Sequence, residues 1–311
     1  MTAEVIYRKA IKITNSIVNM ALLLSIIIVV AFAGYALWDS SQLHQAADKM
    51  IYEVYKPTPE NEGKSFKELQ ALNSDIIAWL NIYGTNIDYP VTQGADNMKY
   101  LNTNPEGQYS LSGAIFLDSE NSKEFDDFNS IFYGHHMEKK VMFGELGQFS
   151  NKEMFETHRY GTLYYNGKDH GIDFFAFLHI SAYDKLIYAP GISEDQRQDY
   201  LNSIVSDAIH KREIEITEKD QIVLLVTCSS ESTNGRDVLV GKITDDIKEN
   251  AFLNMNLKQK KNTLNKTSIA GQVKEVHLVN IVLAGLSTVF ITVVLYIRKK
   301  RGAKVYEIKK K

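Results

Sequence analysis

One cysteine is present in 311 residues, and it closes an apolar run, Ile222-Val223-Leu224-Leu225-Val226-Thr227-Cys228. Arg236 follows eight positions on, and 93 residues upstream a second apolar run, Ile131-Phe132-Tyr133-Gly134-His135, ends in a histidine. A thiolate is a nucleophile, an imidazole moves protons near neutral pH, and a guanidinium stays charged throughout. Together they are sufficient for acyl transfer through a thioester. Singly each is weak. A lone cysteine after an apolar strand is usually a small core residue, His136 stands beside His135, and Arg236 has the bland alternative of a surface cation.

The elements that must position these residues read as strands. Ala78–Tyr83 and Asn86–Val91 flank Gly84-Thr85 as a hairpin. Gly113–Leu117, Asn129–His135, Gly161–Tyr165, Ile172–Tyr183, Ile222–Cys228 and Asp237–Ile243 bring the count to about eight, rich in Ile, Val, Phe and Tyr. Eight short strands in a domain of roughly 200 residues predict a closed or nearly closed barrel. Two S-x-x-E/Q patterns predict helix starts: Ser65 with Glu68, opening a short helix to about Asn73, and Ser193 with Gln196, opening one to about Lys211. The second carries an apolar stripe of Leu201, Ile204, Val205, Ala208 and Ile209.

The chain ends say where the chemistry happens. Residues 17–38 and 276–297 are apolar stretches of about the ~20 residues a helix needs to cross a bilayer. Arg8, Lys9 and Lys12 precede the first, and eight Lys or Arg follow the second. Basic flanks stay cytoplasmic, so both tails are expected inside and the segment between the spans outside. The alternatives are a cleaved signal peptide for the first stretch, where Ala31-Phe32-Ala33 has the small-residue spacing, and a buried core helix for the second. The expected organisation is a cytoplasmic tail (1–16), a span (17–38), a polar stalk (39–64), an outer domain (65–245), a linker (246–275), a span (276–297) and a basic tail (298–311).

Between the two tails lie 24 Lys or Arg and 36 Asp or Glu, a net charge of about −12. That surplus argues against nucleic acid as a partner. A single cysteine excludes an internal disulfide, and the absence of CxxC and HExxH patterns leaves a metal site without support, so no cofactor is expected.

In combination these patterns resemble the sortases, the membrane-bound cysteine transpeptidases of Gram-positive bacteria. The carrying motifs are Leu225-Val226-Thr227-Cys228, Tyr133-Gly134-His135-His136-Met137 and Gly235-Arg236-Asp237-Val238-Leu239-Val240. The run Trp79…Asn86-Ile87-Asp88-Tyr89-Pro90-Val91, then Asp96-Asn97…Tyr100-Leu101, and Ser112-Gly113-Ala114-Ile115-Phe116-Leu117-Asp118 look most like class B. The resemblance covers residues 65–245 and implies a sortase-type eight-stranded barrel with flanking helices. It implies that Cys228 attacks the carbonyl of a Thr–X bond in a C-terminal sorting signal of a secreted protein. His135 then serves the leaving and incoming amines, and Arg236 holds substrate and oxyanion. The acceptor would be a peptidoglycan cross-bridge or a pilin lysine. By the same resemblance Asn97, Leu101 and Tyr133 line the substrate groove and Thr227 borders the oxyanion site; simple core packing is the alternative for Leu101 and Tyr133.

The chain departs from the family pattern in places. Leu224-Leu225 stands where Thr-Leu is usual, Val226 where class B often has Ser, and Ser229-Ser230 where an acidic residue often follows the cysteine. A C-terminal span is more typical of pilus-building class C, yet the Asp-Pro-aromatic lid of that class is absent. Two rival readings remain: a hydrolytic cysteine protease, disfavoured because papain-like enzymes place Cys before His, and a membrane-tethered binding module with an incidental cysteine.

Overall fold

Branched and aromatic side chains fit the pleated surface of a sheet, and the runs that carry them here become strands. The computed structural model describes residues 3–58, 63–228 and 234–253. In chain order the main elements are α1 (Ala3–Ala46), α2 (Lys64–Leu72), β1 (Ile76–Ile82), β2 (Asp88–Thr92), β3 (Ile115–Leu117), β4 (Asn129–Tyr133) and α3 (Lys152–Thr157). Then come β5 (Tyr160–Tyr165), β6 (Lys168–Ser181), α4 (Arg197–Asp207), β7 (Ala208–Lys211), β8 (Ile222–Cys228) and β9 (Gly235–Thr244).

The strands lie in the order β5-β1-β2-β3-β4-β8-β9-β6, and a further β5–β6 pairing closes the ring. The eight expected strands therefore form the barrel. Short strand β7 is an addition, paired to β6 beside that ring. It takes residues expected to be helical: α4 ends at Asp207, Ala208 is extended (φ −68°, ψ 126°), and Ile209 is exposed. The helical stripe holds only for Leu201 and Ile204, joined by Tyr200. Beyond them the backbone of β6 offers a pairing edge, which overrides a weak local preference.

Neither capping pattern forms its box. Gly63, in the left-handed region (φ 70°), precedes α2, while the Ser65 hydroxyl donates to the Lys56 carbonyl at 3.2 Å. The Ser193 hydroxyl donates to the Gln196 side-chain oxygen at 2.9 Å, and a 3-10 turn over Glu194–Gln196 comes before α4.

Side chains alternate across a strand, and β8 is apolar on both faces because both are covered. Val223 and Leu225 point into the barrel with Phe132, Phe174, Phe177 and Leu239. Ile222, Leu224 and Val226 point outward into a second layer with Ile131, Val238, Val240 and, from α4, Tyr200, Leu201 and Ile204. Burying a Val, Leu or Ile side chain contributes about 1.5–3 kcal/mol, so this strand is among the most firmly held parts of the fold.

Within α1, Ala3–Asp39 is long and apolar enough to cross a membrane, with a mean hydropathy of 2.6 and no burial in its most apolar stretch. Part of the segment read as a stalk packs on the barrel: Ala47 and Tyr52 are buried, the Ala47 carbonyl accepts the Tyr89 hydroxyl at 2.9 Å, and Lys56 pairs with Asp88. The expected second span at 276–297, the basic tail and most of the expected linker lie outside the described residues.

Candidate active site

The site follows from strand parity. On β9, Val238 and Val240 face the outer layer, so Arg236 does too; on β8, Val226 does, and Cys228 shares its face. Cys228 and Arg236 are direct antiparallel partners, which puts their Cβ atoms about 4.5–5.5 Å apart. β4 runs parallel to β8 with Tyr133 level with Val226, and the Gly134 N–H reaches the Val226 carbonyl at 3.2 Å. Two residues further along each chain stand His135 and Cys228. The histidine is thus just beyond its strand, not in it as the sequence led one to expect.

Gly134 makes that exit from the strand possible. A Cβ there would meet the Phe143 ring at 2.7 Å. The chain then turns back, with the Phe143 N–H on the His135 carbonyl at 3.1 Å. Thr227, 2% exposed, points the other way from Cys228 and donates its hydroxyl to the Gly134 carbonyl at 2.8 Å. It locks the cysteine strand to the histidine segment.

Cys228 is exposed. A cleft of about 340 Å³ brings Cys228, His135 and Arg236 together with Asn97, Leu101, Tyr133 and Thr227, so every residue singled out from sequence lines one cavity. The imidazole Nε2 lies 2.8 Å from the Leu101 carbonyl. A carbonyl only accepts, so Nε2 carries the hydrogen and Nδ1 of the neutral ring is left to exchange protons. Leu101 therefore contributes backbone to the site as well as its side chain. The Arg236 guanidinium is steadied by the Gly235 carbonyl at 2.9 Å.

Two of the lining residues, Asn97 and Tyr133, belong to a hydrogen-bonded set. Asp118, 4% exposed, accepts from Asn97 Nδ2 at 2.9 Å and from the Tyr133 hydroxyl at 3.1 Å, both on Oδ2. Asn97 Oδ1 accepts the Ser119 N–H at 2.8 Å. Burial, reinforced by the Asp118 charge, pushes the Tyr133 phenol well above its ordinary range. Its single proton stays, and it is committed to Asp118.

Sequence reasoning gave no site role to Phe116, Ala182 or Tyr188, which also line the cleft. The Tyr188 hydroxyl oxygen is buried with no hydrogen-bond partner. Burial raises its pKa although Arg236 nearby opposes the shift. It lies in the connection between β6 and α4, where no motif marks it. Asp118 stood only as the last residue of a class B-like run, with no role given to it. Among the described residues, no group of three or more His, Cys, Asp and Glu side chains could hold a metal ion.

No family model matches the chain. Sortase B of Listeria monocytogenes is 28% identical over 240 residues, covering 74% of this chain and 98% of that relative. Among solved structures, sortase B from the type II pilus of Streptococcus pneumoniae is 48% identical, with 58% of this chain and 99% of that one covered and a TM-score of 0.52. A Streptococcus pyogenes class B sortase involved in pilus biogenesis is 40% identical over the same shares, with a TM-score of 0.54. Sortase B of Staphylococcus aureus is 26% identical, covering 66% of this chain and 98% of that one, with a TM-score of 0.56. An eight-stranded barrel with a cysteine, a histidine and an arginine in one cleft, matched at up to 48% identity over nearly the whole of its relatives, belongs to the sortase family: the chain is a class B-like cysteine transpeptidase.

Proposed function

We propose that this enzyme cleaves a C-terminal sorting signal through a thioester on Cys228 and passes the acyl group to a pilin lysine. The observation that carries the reaction is the convergence of Cys228, His135 and Arg236 on one outer face of adjacent strand ends, within one cleft. His135 Nδ1 takes the proton of the Cys228 thiol, the resulting thiolate adds to the scissile carbonyl, and Arg236 lies beside the developing oxyanion. His135 Nδ1 delivers a proton to the departing amine, leaving a thioester. The incoming amine then loses a proton to Nδ1 as it displaces the sulfur, and an amide results. Because Nε2 is held by Leu101, one nitrogen serves both half-reactions.

Two pilus-associated relatives are 48% and 40% identical, against 26% for a sortase B that has been solved with triglycine. That contrast supports a pilin lysine over an oligoglycine cross-bridge. A transpeptidase must favour an amine over water, which orientation beside His135 achieves through effective molarity. The acidic outer surface further favours a cationic ammonium, within the ~10 Å reach of exposed charges at 0.1 M salt.

The assay is the full chain in detergent with an NPxTx-type peptide, the first signal to try for class B, plus either a lysine-bearing peptide or triglycine. Mass spectrometry should find an amide on the lysine side chain. A triglycine product alone would reassign the acceptor, and equal hydrolysis with every amine would make the protein a protease.

For topology, both tails lie in the cytoplasm and the catalytic domain outside, supported by the basic flanks and by the apolar helix Ala3–Asp39. Protease added to intact protoplasts should digest the domain and spare a C-terminal tag. A tag accessible from outside would contradict this arrangement.

A further inference from the structure

We propose that Asp118 is a positioning residue that sets the orientation and tautomer of His135. The inference rests on the catalytic reading of His135 given above.

The hydrogen bond that fixes the imidazole joins two separate segments. One carries Leu101, whose carbonyl receives Nε2–H; the other carries His135 itself. Asp118 Oδ2 holds both. Asn97, four residues before Leu101, donates to it at 2.9 Å, and Tyr133, two residues before His135, donates to it at 3.1 Å. One buried oxygen therefore sets the spacing between the imidazole and its acceptor without touching either.

Asp118 is itself held firmly. Its other oxygen accepts the Glu120 N–H at 3.0 Å, its own N–H bonds the Ile131 carbonyl at 2.8 Å, and its carbonyl accepts Gln93 Nε2 at 2.7 Å. At 4% exposure the carboxylate competes little with water for its donors. Charge-assisted hydrogen bonds to a fixed carboxylate are about twice as strong as neutral ones, so both segments are drawn to one point.

A second anchor gives a control. The Tyr100 hydroxyl donates to Asp75 at 2.9 Å and ties the Leu101 segment to the chain before β1. Losing it loosens that segment but leaves Tyr133 untouched.

The test uses the full chain in detergent with ¹⁵N-labelled histidine. In the parent, neutral His135 should show a protonated Nε2. Asp118→Ala should give a mixture of tautomers, move the imidazole limb of the pH–rate profile, and lower kcat on the order of 10²-fold with KM little changed, the scale of a small misplacement of a reacting group. Asp118→Asn, whose amide oxygen can occupy the Oδ2 position, should recover part of the rate. Tyr133→Phe, which removes one of the two donors to Oδ2, serves as the test variant if Asp118→Ala fails to fold. Tyr100→Phe should keep the parent tautomer and pH profile. A parental tautomer and pH profile in Asp118→Ala, or in Tyr133→Phe if the alanine variant does not fold, would overturn the proposal. His135→Ala is measured alongside. Full turnover by that variant would sink the catalytic reading itself, whereas the tautomer reports on the clamp in either case.

Discussion

Two ends of the same strands differ in what surrounds them. Along β8 the first six residues are buried, with Ile222 through Leu225 at 0% exposure, and the seventh, Cys228, is exposed. β9 mirrors this: Val238, Leu239 and Val240 are fully buried, and Arg236 lies at the open end. The inner part is held by apolar contact on both faces and needs no particular chemistry. The outer part instead places a thiol, an imidazole and a guanidinium in one cleft. If these groups act as proposed, stability and reactivity are separable along a single strand.

The sharpest break of that comparison is a pair of alanine substitutions on one strand. Cys228→Ala should abolish acyl-enzyme formation while leaving stability within about 0.5 kcal/mol, as for an exposed site. Leu225→Ala should cost about 2–5 kcal/mol of stability through the cavity it leaves in the barrel. Denaturant melts and thioester trapping by mass spectrometry read the two quantities. A large loss of stability in Cys228→Ala would show that the open end also supports the fold.

Next in size are the charged and proton-carrying groups of the open end. Arg236→Ala should lower turnover on the order of 10²–10³-fold, the scale of one lost oxyanion donor. His135→Ala should be far more damaging than His136→Ala in steady-state peptide assays. The reverse order would move the catalytic base by one residue and remove the Leu101 contact from the mechanism.

A smaller effect concerns pH and belongs to the buried part. Burial lowers the pKa of His158 and of His170, with Lys168 adding to the effect at His170, below the ordinary 6.5. His170 is 6% exposed, stacks on Tyr165 at 3.8 Å, and has a buried Nδ1 without a partner. With folded values below the unfolded ones, the neutral rings favour the fold above about pH 6.5, and that contribution is lost as pH falls through the folded values. Melting temperature should drop between pH 7 and pH 5, and His170→Phe should flatten the decline. An unchanged slope in that variant would remove His170 as a cause.

The smallest effect sharpens the boundary between the two parts. Lys139 and Lys140, in the loop that follows the histidine, both have positive φ, 57° and 61°. Non-glycine residues in that region are strained by about 1 kcal/mol or more. Glycine at either position should raise the denaturant midpoint slightly, by up to about 1 kcal/mol in stability. If turnover falls at the same time, the strain is part of how His135 is held.

Much of this was legible without coordinates. Ile222–Cys228 read as a strand because an apolar run of that length with branched residues has few other uses, and the Cys228, His135 and Arg236 motifs matched one family together. The fate of residues 208–211 was not legible, because a helical stripe and a strand share short apolar stretches and the free edge of β6 decided between them. Ser65 read as a cap, but its hydroxyl found the Lys56 carbonyl instead, a contact nine residues back that no local pattern encodes.

The amino-acid order by itself determined which residues face one another along a strand, because the side-chain period of two is a property of the backbone. It therefore placed Cys228 with Val226 and Arg236 with Val238 before any fold was known. Only the tertiary structure decided which strands became neighbours, and so that Cys228 meets Arg236 in register and His135 level beside it. It alone gave Nε2 to the Leu101 carbonyl and made Asp118 the common acceptor of two distant segments. Such contacts depend on positions in space between residues tens of positions apart, and the chemistry of an isolated aspartate says nothing about which donors will reach it.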